Sequence, residues 1–180
     1  YYMNTGQLEK VIKRESKILK GLSSYGKQVR EGTRVTLMYN LGVSHLISGK
    51  FKNALKVFNK LRNFGILGSR QDLQGLARLF RLVLICDNDT SGGFEHYLRN
   101  GQRFFEDGNR SFILANLIYT WLQSHPSIKD DGLKRASFNS LLEQLEPLVA
   151  DRLVGAEEFF LYARSKVERR PIKEIFLESL

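Results

Sequence analysis

Three short segments recur at one fixed interval: Thr5-Gly6-Gln7-Leu8, Ser48-Gly49-Lys50-Phe51 and Ser91-Gly92-Gly93-Phe94, each 43 positions after the one before. In each, a helical pattern runs up to a small residue and a glycine, and a second helical pattern opens on the apolar residue that follows. Glycine takes the left-handed backbone conformation that ends one helix and turns the chain into the next. A hairpin of two helices cannot shelter its apolar faces alone, so units of this kind gain stability by stacking. The period therefore predicts an all-α solenoid of antiparallel helical hairpins.

Composition agrees with that expectation. Hydrophobic residues make up 42% of the 180, enough for a core, and the three prolines are few for a chain rich in Leu, Lys, Arg and Glu. Residues 1–107 read as hairpins, the first one truncated, and 108–180 as a further helix pair and capping helices in the same continuous array. Within the second part, "SFILANLIYTWLQSH" predicts a helix closed before Pro126. A longer helix is expected over Ser127–Ala150, with Pro147 loosening its last turn. "AEEFFLYARSKVER" predicts another, and Pro171 opens a short terminal helix, with residues 154–180 acting as the cap. The longest apolar run, Leu82 to Cys86, is too short to span a bilayer. Starting at Tyr1 without a methionine or signal-like segment, the chain reads as a piece of a longer protein; the lone Cys86, expected to be buried, suits a reducing compartment, so a cytoplasmic location is favoured.

The middle unit, "YNLGVSHLISGKFKNALKVFNKL", resembles a tetratricopeptide repeat. Leu41-Gly42 match the family's Leu-Gly pair in a first helix, and Ala54 and Phe58 match its small-then-large pair in the second. Gly42 and Ala54 let the two helices approach closely, while Leu41, Leu55, Phe58 and Leu61 fill the space between and beneath them. The resemblance covers roughly residues 1–107 and implies a right-handed superhelix. In addition, "RQDLQGLARLFRLVLICDN", "FEHYLRNGQRFF" and "FFLYARSKVERRPIKEIF" are similar to the carboxyl-terminal part of uncharacterised bacterial tetratricopeptide proteins, a likeness that implies no activity.

Catalytic signatures are missing from the sequence. His45, His96 and His125 are far apart and none has a second histidine or cysteine at metal-ligand spacing. His45 reads as a helix-interface imidazole and His125, before Pro126, as a helix-end residue. "DNDTSGGFE" starts like a calcium loop at Asp87, with Asp89, Ser91 and Glu95 as oxygen donors, but the twelfth position, which should supply a bidentate carboxylate, is Leu98. A polar hairpin turn is the simpler reading. No catalytic residue, metal or cofactor is expected, and an interaction scaffold for a protein or peptide follows.

Two surfaces could serve it. The first helix of each hairpin lines the concave face of such a stack, which places Thr36, Tyr39, Asn40, Val43 and Ile47 there as ligand-binding candidates. By resemblance, Asn40 matches an asparagine of the carboxylate-clamp subclass, but Val43 stands where the second is needed, leaving the clamp incomplete. Packing of this face against further repeats or a twin chain is the alternative. The second surface is basic: Lys10, Lys13 and Lys17 recur at helical spacing, and Lys52, Lys56 and Lys60 repeat the theme 43 residues on. Residues 1–70 hold 14 Lys and Arg against three acids, whereas the rest of the chain holds 14 against 16. Such rows suit an acidic protein partner, or less readily an anionic membrane or nucleic acid, since lysine offers point charge without bidentate base reading. Otherwise they form a solvated face. Homo-oligomerisation stays open as a structural role.

Overall fold

The computed structural model describes residues 5–25, 28–62, 70–88, 94–106 and 113–180. Those residues form α-helices and one 3-10 turn with no strand. In chain order the helices are α1 (Leu8–Lys13), α2 (Glu15–Tyr25), α3 (Glu31–Ile47), α4 (Phe51–Arg62), α5 (Gln71–Asn88), α6 (Phe94–Glu106), α7 (Ile113–Ser124), α8 (Asp131–Ala150), α9 (Ala156–Glu168) and α10 (Ile172–Glu178). The all-α expectation is met. None of the described helices is long and apolar enough to cross a membrane.

The best-matched unit packs as its residues dictate. Leu41, Ala54, Phe58 and Leu61 are buried, Leu55 packs against the core from its edge, and a Cβ built on Gly42 would fall 2.4 Å from Phe58 Cε1. Gly49 ends α3 at φ 71, and Lys50 N–H bonds back to His45 O at 2.8 Å, the six-to-one closure of a Schellman turn. Gly6 is also left-handed, at φ 67. The third glycine of the period, Gly92, lies outside the described residues, as do Asp89, Thr90 and Ser91 of the loop read for calcium. α8 and α9 end on the same six-to-one bond without glycine: Arg152 (φ 54) and Arg169 (φ 55) supply the left-handed residue.

Several boundaries differ from the pattern reading. The first basic helix is broken at Arg14, so α1 and α2 are separate segments. α8 starts at Asp131, because Asp130 caps it by accepting the Leu133 N–H at 2.8 Å; Ser127 belongs instead to a 3-10 turn over His125–Ser127. Pro147 sits inside α8, which continues to Ala150. Cys86 is half-buried where full burial was expected.

Rings carry the core from helix to helix. Tyr39 of α3 lies 6.4 Å from Phe58 of α4; Phe58 stacks on Phe80 of α5 at 5.5 Å, and Phe80 on Phe159 of α9 at 3.9 Å, nearly parallel at 4°. α9 also packs along α8 and against α3, and α10 reaches α3. Lys173 of α10 bonds Glu9 of α1 at 3.4 Å, and a Cβ on Gly6 would strike Leu177 and Leu180. The last helices of the chain thus lie against its first described ones.

Two polar networks brace this arrangement. His45 is fully buried with Nε2 3.1 Å from Glu15 Oε2, joining α3 to α2, which matches its reading as a helix-interface imidazole. The Tyr162 hydroxyl donates to Asp87 Oδ2, and Lys166 Nζ lies 2.5 Å from the same oxygen while resting 5.0 Å from the Tyr162 ring centroid. That network ties α5 to α9. Burial, with the Asp87 charge beside it, pushes the Tyr162 hydroxyl far up, so it stays a donor.

Candidate functional site

The α3 face divides into core and edge. Tyr39, Val43 and Ile47 are at most 4% exposed, while Thr36 and Asn40 are half-buried. What fills the face comes from this chain itself: α1, α9 and α10 all pack on α3. Tyr39 OH donates to Glu158 Oε1 of α9 at 3.4 Å, and burial followed by the Glu158 charge pushes the hydroxyl well above its ordinary value. Burial likewise holds the Glu158 carboxyl up. Thr36 Oγ1 donates to Gly32 O at 2.8 Å and accepts from Arg70 Nη1 at 3.3 Å. Of the five residues read as ligand-binding, the structure leaves only Thr36 and Asn40 at a surface.

The six basic candidates are all exposed: Lys10, Lys13, Lys17, Lys52, Lys56 and Lys60. The break at Arg14 interrupts the first row, and α1 and α4 each pack on α3 rather than extensively on one another. Nearby, Glu9 bonds both Lys173 and Lys50, and the Lys173 bond is the main cause holding its carboxyl below the usual range.

An open apolar cleft that the pattern reading did not single out lies between α5, α6, α7 and the turn from α8 to α9. It encloses about 320 Å³ between Leu76, Leu79, Phe105 and Leu114, with Ile113, Leu153 and Val154 at its rim. Ile113 is 68% exposed and Val154 57%. The turn is pressed onto α5 because Gly155 has φ 90 and no side chain: a Cβ there would meet Leu76 Cδ2 at 2.4 Å. Among the described residues, one charged group borders the cleft, Asp72, and Arg70 grips it through Nε at 3.0 Å and Nη2 at 2.8 Å. This pair holds the Asp72 carboxyl below its usual range. Two apolar residues, Leu153 and Val154, placed in a turn just before a glycine were the sequence signal for this rim.

His125 is buried, stacked 4.2 Å from Trp121, with Nδ1 3.0 Å from Ser137 Oγ. Its surroundings are those of a packed core residue, beyond the helix-end role read from its place before Pro126. Among the described residues, no three His, Cys, Asp or Glu side chains converge as a metal site.

No family model matches the chain, and neither a curated protein nor a solved structure matches it significantly.

Proposed function

We propose that the chain is a non-catalytic protein-binding module, built on tetratricopeptide-like antiparallel helical hairpins, that takes apolar side chains of a partner protein or peptide into the α5–α7 cleft. The observation that carries this reading is the cleft itself, an open trough with apolar walls and with Ile113 and Val154 largely exposed at its edge. Exposed apolar edges around a preformed recess are the usual mark of a macromolecular contact. The close Gly42–Phe58 approach supports the hairpin kinship. Since α3 is covered from within, the recognition surface moves from the concave face of the α3 hairpin to the neighbouring helices.

The test is affinity capture with quantified partners, comparing the native chain with Val154→Glu and Ile113→Glu. Both positions are exposed, so the fold should survive, and the specific partner should be lost from both variants. Undiminished capture by the two variants defeats the reading.

A second reading rests on the six exposed lysines as a docking face for an acidic partner or nucleic acid. It requires binding that weakens steeply with salt and falls with Lys56→Gln and Lys60→Gln. Self-association through the cleft is the structural alternative, seen as a concentration-dependent mass in ultracentrifugation.

A further inference from the structure

α5 is buried along most of its length, yet Gln74, Arg78 and Arg81 run along it at four- and three-residue spacing and so share one face. Such a polar stripe is costly in a helix surrounded by core. Gln74 is 1% exposed, and neither its amide nitrogen nor its oxygen has a hydrogen-bond partner among the described residues. Gln74 itself is not among the residues that line the cleft farther along this stripe.

Where the stripe reaches the surface it walls a small cleft of about 100 Å³ between α5 and α6. Arg78 and Arg81 form one side, and His96, Tyr97 and Asn100 form the other. The Arg81 guanidinium lies 4.6 Å above the Tyr97 ring centroid, and its Nε donates to Asn59 Oδ1 at 2.5 Å, so its plane is fixed from two directions. His96 Nε2 is 2.8 Å from Asn100 Nδ2. With the amide donating there, the ring proton rests on Nδ1, which makes the imidazole a donor on its other side. At the floor, Gly101 keeps α6 close: a Cβ would fall 2.4 Å from Tyr119 Oη. By spacing, Arg99 and Arg103 stand on the same side of α6 as His96 and Asn100, and both are exposed. Among the described residues, no carboxylate lines the cleft. This concentration of positive charge occurs in the part of the chain that is net acidic, so it does not follow from regional composition.

We propose that the α5–α6 cleft binds a small oxyanion, a single phosphate or carboxylate group, held by the guanidinium groups of Arg78 and Arg81 and by the polar groups of His96 and Asn100. Two guanidinium groups three residues apart repel each other, and an anion between them reverses that penalty. Each guanidinium presents its N–H donors in a planar fork that matches the oxygens of a phosphate or carboxylate. The cleft volume suits one such group and not a nucleotide. The site is separate from the apolar cleft and does not depend on the proposed protein partner.

The experiment is titration of the full chain with inorganic phosphate and, in a parallel arm, with succinate, read by calorimetry and by the proton resonances of the His96 ring. Saturable binding at millimolar concentration or below is expected in at least one arm, and the arm that binds names the source of the group. Arg81→Gln and Arg78→Gln should each weaken it about tenfold or more. Lys20→Gln with Lys129→Gln, exposed positions on α2 and just before α8 that do not line the cleft, should leave it unchanged. Should Arg81→Gln fail to fold, the His96 shift in the native chain and the Asn100→Ala variant still decide. No saturation in either arm, or binding removed by the lysine substitutions and not by the arginine ones, overturns the proposal.

Discussion

Phe58 occupies the space that a side chain on Gly42 would need: its Cε1 lies 2.4 Å and its Cδ1 2.8 Å from the Cβ position. The ring cannot yield easily, because it is stacked on Phe80, which is stacked in turn on Phe159. Gly42→Ala should therefore destabilise the chain by about 1–3 kcal/mol of overpacking, even though alanine is the better helix former by roughly 1 kcal/mol. Denaturant midpoints of the two chains measure it. An alanine variant as stable as the parent would show that the two helices can move apart freely.

Glycines in open space separate backbone cost from contact. Nothing lies within 4 Å of a Cβ on either Gly49 or Gly21, but Gly49 has φ 71 whereas Gly21 is helical within α2. Gly49→Ala should cost about 1 kcal/mol and Gly21→Ala should gain about 0.5–1 kcal/mol. Conversely, Arg152→Gly and Arg169→Gly, which relieve left-handed arginines, should each gain about 0.5–1 kcal/mol. Thermal melts of the four variants check the signs, and a gain from Gly49→Ala would contradict the cap assignment.

Acid should act on the fold through His125. Its pKa is lowered from 6.5 to about 4, chiefly by burial; the Asp87 carboxylate pulls it back up, while Lys134 and Lys166 add to the depression. Between those two values the unfolded chain binds the proton and the folded one does not. The stabilisation is thus complete above the unfolded pKa of 6.5 and lost as pH falls towards 4. The loss is on the order of 3 kcal/mol. Glu158, held up by burial, titrates in the opposite sense, so the difference between the native chain and His125→Gln isolates the effect. That difference should shrink by about 2–3 kcal/mol on going from neutral pH into this acid range, and parallel stability curves would refute it.

Tyr162→Phe keeps the ring among its neighbours and deletes only the hydroxyl that donates to Asp87. A cost of about 1–2 kcal/mol is expected, rising in Asp87→Ala, which strands Lys166 as well. In a double-mutant cycle the two changes should be non-additive by about 1 kcal/mol or more. Additive costs would mean that the network is not a unit.

What the sequence revealed is what neighbours along the chain decide. Gly42, Ala54 and Phe58 sit on adjoining helices, so their spacing shows both the turn and the close approach; Gly6 and Gly49 take the left-handed form that the period requires. The covering of α3 was not readable, because Tyr39 meets Glu158 across 119 positions and no local pattern encodes which distant helix closes a face. Amphipathic periodicity tells that Val43 and Ile47 seek burial, and it is silent on whether the partner is a ligand or the chain itself. Arg152 and Arg169 end helices where glycine is the usual signal, so those turns left no mark. The arginine cleft was hidden for a related reason: Arg81 and Tyr97 belong to different helices, and only their packing makes a recess of them.

The contact of α9 and α10 with α3 bears on how the protein emerges from the ribosome. Translation delivers Tyr39 119 positions before Glu158, so this face of α3 must wait, oily and uncovered, while the intervening chain is made. Folding of this region is therefore set to finish only after release of Ile172 and Ile175 from the exit tunnel, a window in which chaperones have the most to do.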